Sequence, residues 1–177
     1  SYGATLIGAN VTLTPVDPIV LLSSDVTENK GTLVYGVSYG LTVAGVTVSN
    51  VNASNVLGGA TATVVFTPAD NTASPATPAT LTLNGATIEP EGEGYGIEYT
   101  GTDDLVISLN GTNNVVKGGG NCNAILYNGP GVTDPTLTFS NGGTAPCSLQ
   151  LEAVGVDLTT IAGFASVVNT GLYRIDD

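Results

Sequence analysis

Apolar runs and polar corners alternate along this chain in a way that repeats. LTLNGATI, LVISLNGTN and LTFSNGGT are three short apolar strands, each closed by an Asn-Gly pair, at Asn84-Gly85, Asn110-Gly111 and Asn141-Gly142, spaced 26 and 31 residues apart. A second element recurs in phase: Gly96-Ile97-Glu98-Tyr99-Thr100-Gly101, then Ala124-Ile125-Leu126-Tyr127-Asn128-Gly129, with Ile97 and Ile125 separated by 28. Two different elements sharing one period predict stacked coils, in which each strand pairs with its equivalent in the next coil. Asn84, Asn110 and Asn141 then form a predicted ladder, each amide donating to the carbonyl of the next and satisfying backbone groups at the corners. The competing reading takes Asn-Gly as the two-residue hairpin turn, which gives an antiparallel β-sandwich. Hairpins need not hold a second motif in register, so the stacked coil is preferred.

Outside the repeat, residues 1–24 contain Val11 and Leu13 in alternation and the run Ile19-Val20-Leu21-Leu22, divided by Pro15 and Pro18 into two extended pieces. Val11, Leu13, Ile19 and Leu21 are the predicted assembly strand. This segment either pairs within its own chain and covers the first coil, or adds a strand to a neighbouring subunit, because a short stack exposes unpaired edges. Residues 25–177 read as one domain. Strands begin near Thr32, a Pro- and Thr-rich loop occupies 67–80, regular coils run from Leu81 to about Val156, and a short helix is predicted at Leu158 to Val168.

Composition supports an all-β, exported chain. There are 177 residues, 42% of them apolar, with 24 Gly and no Met, Trp or His. Val, Thr, Leu, Ile and Ala fill the strands while Gly and Asn supply corners. The lack of an initiator Met suggests a mature chain whose export signal is gone. No apolar run is long enough to span a membrane. Fifteen Asp and Glu against Lys30, Lys117 and Arg174 give a net charge of −12, which argues against nucleic acid. With only 10% charged residues, the surface is largely Thr, Ser, Asn and Gly, as in secreted proteins. Cys122 and Cys147 lie about one coil apart, and a disulfide between them is expected, contributing about 3 to 4 kcal/mol and pointing to an oxidising compartment. Two buried free thiols are the alternative.

Several segments resemble the carbohydrate-binding-domain proteins that carry a short right-handed parallel β-helix of the pectate-lyase-like superfamily. The matching pieces are LTVAGVTVSNVNASNVLGG (Leu41 to Gly59), LTLNGATI (Leu81 to Ile88), YGIEY (Tyr95 to Tyr99) and DLVISLNGTNNVV (Asp104 to Val116), in the family's order and covering a little under half the chain. The resemblance implies a right-handed parallel β-helix and calcium-dependent binding of acidic polysaccharide. The chain departs from the family in having about three regular coils, the Pro-rich insertion and the apolar N-terminal segment. So short a stack offers little groove for an extended glycan.

Glu89, Glu91, Glu93 and Glu98, with Asp103 and Asp104, place six carboxylates within 16 residues. Oxygen ligands on adjacent turns suit calcium, which takes six to eight of them at flexible geometry; a solvated rim is the simpler alternative. An enzyme is not expected. The three basic residues are too far apart in sequence to abstract a proton beside bound calcium, adjacent Asp103 and Asp104 would point to opposite faces of a strand, and a nucleophilic triad lacks its His. Tyr35, Tyr39, Tyr95, Tyr99 and Tyr127 form either a sugar platform or a structural ladder, the ladder being preferred. Sequons fall at Asn10, Asn52 and Asn110; Asn110 belongs to the ladder, leaving Asn10 and Asn52 as the glycosylation candidates. The chain therefore reads as an extracellular structural protein that assembles with copies of itself, with calcium-dependent polysaccharide binding as the alternative.

Overall fold

The computed structural model describes residues 19–27, 30–131, 133–143, 146–156, 158–170 and 175–176. Among these residues the chain forms strands and no helix. The first half gives β1 (Ile19–Thr27), β2 (Lys30–Val43), β3 (Val46–Ser49) and β4 (Val64–Thr67). The second half cycles through shorter strands: β5 (Ala79–Asn84), β6 (Thr87–Ile88), β7 (Ile97–Tyr99), β8 (Leu105–Asn110), β9 (Asn114–Lys117), β10 (Ile125–Tyr127), β11 (Thr136–Asn141), β12 (Leu149–Glu152), β13 (Ile161–Ala162), β14 (Ser166–Asn169) and β15 (Ile175–Asp176).

The sheets are mixed. β5, β8, β11 and β14 pair parallel in that order, as do β6, β9, β12 and β15, and β7, β10 and β13. Antiparallel pairs belong to the first half: β1 on β2, β3 on β2, β2 on β7 and β4 on β5. The Asn-Gly pairs thus do not close hairpins. At Asn84-Gly85 and Asn110-Gly111 the glycine takes φ of +61° and +70°, a region open to Gly at no steric cost, and the chain passes from one sheet into the next.

Parallel register sorts the alternating residues into columns. Inward-facing Ala79, Leu105 and Leu137 stack, beside Leu81, Ile107 and Phe139, and all six are buried. Ile97 lies against Ile125, and Ile125 against Ile161. Ile88, Val116 and Leu151 form a third column. Each such side chain removed from water contributes about 1.5 to 3 kcal/mol, and this burial holds the successive passes together. Tyr99, Tyr127 and Phe164 stack along the same direction with centroid spacings of 6.1 and 5.6 Å.

Two expectations for the flanks change. The predicted helix at Leu158 to Val168 is instead β13 and β14, because Ile161 and Ala162 add to β10 while Thr136 to Phe139 of β11 take Ser166 to Asn169. Gly163 between them has φ of +86°, which no right-handed helix accommodates. In the N-terminal segment Ile19 and Leu21 pair with Val37 and Tyr35 of their own chain, so that half of the predicted assembly strand already lies in an internal hairpin. Val11 and Leu13 lie outside the described residues.

Candidate functional site

The two ends of the strand stack differ. At the end where the passes begin, β2 lies antiparallel on β7, with Leu41 opposite Tyr99, and β4 lies antiparallel on β5. The outer edge of β4 is itself covered: the Val56 amide donates to the Val64 carbonyl at 2.9 Å, and the Phe66 amide to the Ala53 carbonyl at 2.7 Å. Val48, Val56, Val64 and Phe66 are buried beneath this cover. A sheet edge protected by the chain's own loop cannot template further pairing.

At the other end β14 is the outermost strand of its sheet among the described residues. Val167 continues the core column above Leu137, yet is 49% exposed, and Val168 is 39% exposed. A core column therefore surfaces at this end. Half-buried Phe164 closes the aromatic stack beside it.

Charge follows the same division. Residues 31–69, which build most of the covered end, contain no charged residue, and neither do residues 158–170, which carry β13 and β14 at the open end. Between them, residues 70–157 hold ten of the fifteen acids and Lys117. Acids are densest along the flank but reach both ends: β1, outermost beyond β2, carries Asp25, and β15, the last strand of its sheet, carries Asp176, whereas the β13–β14 segment is uncharged. Sequence reasoning passed over this, although the signal stands in the charge spacing alone.

The six carboxylates separate. Glu89, Glu91, Glu93 and Glu98 line one cleft of about 730 Å³ with Tyr95 and Leu57. Glu98 accepts a hydrogen bond from the Asn128 amide at 3.1 Å, and Glu89 sits 3.9 Å from the Lys117 ammonium, which pairs more closely with Glu152 at 3.4 Å. Asp103 is elsewhere, lining a second cleft with Tyr39 and Phe66 and accepting from Asn71 at 3.0 Å. Asp104 accepts from the Thr136 backbone amide at 2.8 Å, tying one pass to the next. Among the described residues no three Asp, Glu or Cys groups converge closely enough to hold a metal ion.

The tyrosines act mainly as structure. Tyr99 is buried and its hydroxyl donates to the Asp103 carbonyl at 2.9 Å. Burial, then the Asp103 charge, push its pKa up to about 12. Tyr39 packs on Phe66 at 5.3 Å, Tyr35 belongs to the β1–β2 pairing, and half-buried Tyr95 faces the glutamate cleft.

The asparagine ladder has one rung. Asn84 and Asn110 are register partners, and the Asn110 amide donates to the Asn84 side-chain oxygen at 2.9 Å. Asn141 pairs with Leu109 instead, one residue out of step. Gly142 and Gly143 then lie against Asn110, where any Cβ would overlap Ser108 or the Asn110 oxygen. The asparagine that does bind the passes together is Asn114, 1% exposed. Its oxygen accepts from the Ala86 amide at 3.0 Å, and its nitrogen reaches the carbonyls of Asn110, Gly111 and Ser148 at 3.3, 3.2 and 3.0 Å.

Asn10 lies outside the described residues. Asn52 is half-buried; it accepts from the Ser49 amide at 2.8 Å and donates through Nδ2, the atom that carries a glycan, to the Thr47 carbonyl at 3.0 Å. The Cys122–Cys147 disulfide is not formed, and both thiols are free. Cys147 precedes β12, whereas Cys122 bridges to Val154 beyond its far end. Seven residues of nearly extended chain separate those two levels, roughly 20 Å against the 7 Å a disulfide tolerates.

No family model, curated protein or solved structure matches this chain.

Proposed function

We propose that the chain is a non-enzymatic extracellular structural protein: a short right-handed parallel β-helix whose copies stack end to end into a filament or surface array. Parallel strands met in the same order on every pass support the coil, and right-handed crossing is the rule for parallel connections. The observation that carries the assembly reading is the uncharged strand β14, with Val167 and Val168 exposed, at the open end of a chain of net charge −12. Acidic flanks repel one another, so close approach of two copies is favoured through the least charged surface, the uncharged β13–β14 segment. With the edge of β4 covered at one end and that of β14 uncovered among the described residues at the other, the contact is heterologous, which propagates as a fibre unless its rotation closes a ring. The free thiols remove one argument for export; the Thr-, Ser-, Asn- and Gly-rich surface is what supports it.

Negative-stain microscopy and light scattering of the purified chain across a concentration series test this reading. Filaments or linear oligomers are expected, increasing with salt as flank repulsion is screened. A chain that stays monomeric at every concentration and ionic strength refutes it.

A second reading, calcium-dependent binding of acidic polysaccharide, is supported by the four-glutamate cleft with Tyr95 on its wall. Such a cleft repels an acidic glycan unless cations intervene. Calorimetry with polygalacturonate, with and without calcium, tests it, and absence of calcium-linked heat removes it.

A further inference from the structure

Building on the end-to-end reading, we infer that the receiving site is the outer edge of β14 and that its occupant is residues 9–14 of a second copy, added as a strand. β14 pairs with β11 along one side and has no strand on the other among the described residues. A strand laid there must place an apolar residue in line with Val167, where the column of Ala79, Leu105 and Leu137 emerges. ANVTLT alternates Val11 and Leu13 with Asn10, Thr12 and Thr14, the period that a one-sided apolar edge requires. Pro15 and Pro18 follow it, and lacking amide hydrogens they separate this strand from β1.

Position and charge choose the second copy. Ile19, just after the donor segment, is held against Val37 at the covered end, while β14 is at the open end. Return within one chain would climb the full stack, about 20 Å at the usual strand spacing. End-on approach of two copies brings donor and receiver together directly. Residues 9–14 and β14 both lack charged side chains, so the new strand pair itself sets no two carboxylates against each other. Backbone hydrogen bonds would supply affinity and the alternate apolar side chains the register.

The test uses the full chain in three forms: wild type, a donor-blocked Leu13→Asp variant and a receiver-blocked Val167→Asp variant, with folding checked by circular dichroism. Size-exclusion chromatography with light scattering reads the oligomers. Wild type should polymerise; each variant alone should need roughly a hundredfold higher concentration, because a carboxylate would be buried in the new pairing. Mixed one to one, the variants should form dimers and stop there, since one intact donor and one intact receiver remain. If wild type polymerises and Leu13→Asp does so equally well, the strand-donation inference is wrong while the filament reading stands. If both variants are folded monomers that fail to pair when mixed, the inference is also overturned. A monomeric wild type removes the filament reading and this inference with it. Should Val167→Asp not fold, Val168→Pro takes an amide hydrogen from the same edge strand instead.

Discussion

Replacing Asn114 by Ala should lower stability by about 2 to 4 kcal/mol, the largest loss expected from any side-chain amide among the described residues. The reasoning is local. Asn114 occupies an inward position of β9 and is 1% exposed, so water cannot take over its bonds. Its two amide hydrogens are distributed over three carbonyls within 3.0 to 3.3 Å, two on its own pass and Ser148 on the next. Those carbonyls have other donors: Gly85, Ser148 and the Asn114 backbone amide respectively. The Ala86 amide has no other acceptor in view, and Ala86 is itself buried, so truncation orphans one donor at a cost of about 1 to 3 kcal/mol. Loss of the three donated bonds and the space vacated supply the remainder.

The assay is urea denaturation followed by far-ultraviolet circular dichroism, with the slope checked against wild type. Asn114→Asp sharpens the test. It keeps an acceptor for Ala86 but turns a carboxylate toward three carbonyl oxygens, which raises its folded pKa above the unfolded value of about 3.9. A raised acid is at no disadvantage below that unfolded value, and stability is lost as pH rises through the folded pKa. The Asp variant should therefore be weaker than Ala near neutral pH and recover toward wild type near pH 4. A loss below about 0.5 kcal/mol for Asn114→Ala, or an Asp variant insensitive to pH, would refute the account.

Gly101→Ala should cost about 1 to 3 kcal/mol, because a Cβ there overlaps the Tyr99 hydroxyl and the ring carbons next to it; combined with Tyr99→Leu, which removes the ring, the losses should fall short of additive, and strict additivity in a denaturation cycle counts against the steric cause. Tyr99, with a pKa of about 12 in the folded chain against about 10 unfolded, contributes stability that is complete below about pH 10 and is lost as pH rises through about 12. Alkaline denaturation of Tyr99→Phe should be correspondingly flatter, and an unchanged alkaline limb would oppose it. Lys117→Ala should cost less than about 1 kcal/mol and less still in high salt, since its pairs with Glu89 and Glu152 are partly exposed; a loss above about 2 kcal/mol would show the Glu89–Lys117–Glu152 bridge to be structural.

Strands were legible in the sequence where pairing constrains them, and turns were not. Ile97 and Ile125 are register partners at the spacing of 28 that marked the repeat, and Asn84 meets Asn110 at 26. Strand residues must hold register because a one-residue slip turns every side chain to the other face. Corners carry no such constraint and absorb insertions, so Asn141 arrives one residue early and the two cysteines fall at opposite ends of a strand. Asn114 had a signal: it lies 28 residues after Ala86 and two before inward Val116, in phase with the core rather than with the corners. The Leu158 to Val168 segment misled because an apolar edge strand and a short amphipathic helix look alike when Gly163 is the one break between them.

The carboxylates and the apolar end bear on association together. At physiological ionic strength the screening length is about 8 Å, so acidic flanks on neighbouring copies repel once their surfaces come close. Side-by-side contact brings together segments that carry Glu89, Glu91, Glu93 and Glu98, together with Asp103 and Asp104. End-on contact sets these carboxylates, which border the covered end at Leu57, Tyr39 and Phe66, against the uncharged β13–β14 segment of the next copy rather than against one another, and it covers Val167 and Val168. Repulsion at the flank and apolar attraction at the end thus select the same geometry independently. Neutralising the cleft with Glu91→Gln and Glu93→Gln should therefore promote lateral bundling without altering the end-on spacing along a fibre. Fibres whose axial repeat changes with those substitutions would show that the glutamates, and not the uncharged β14 edge, form the contact.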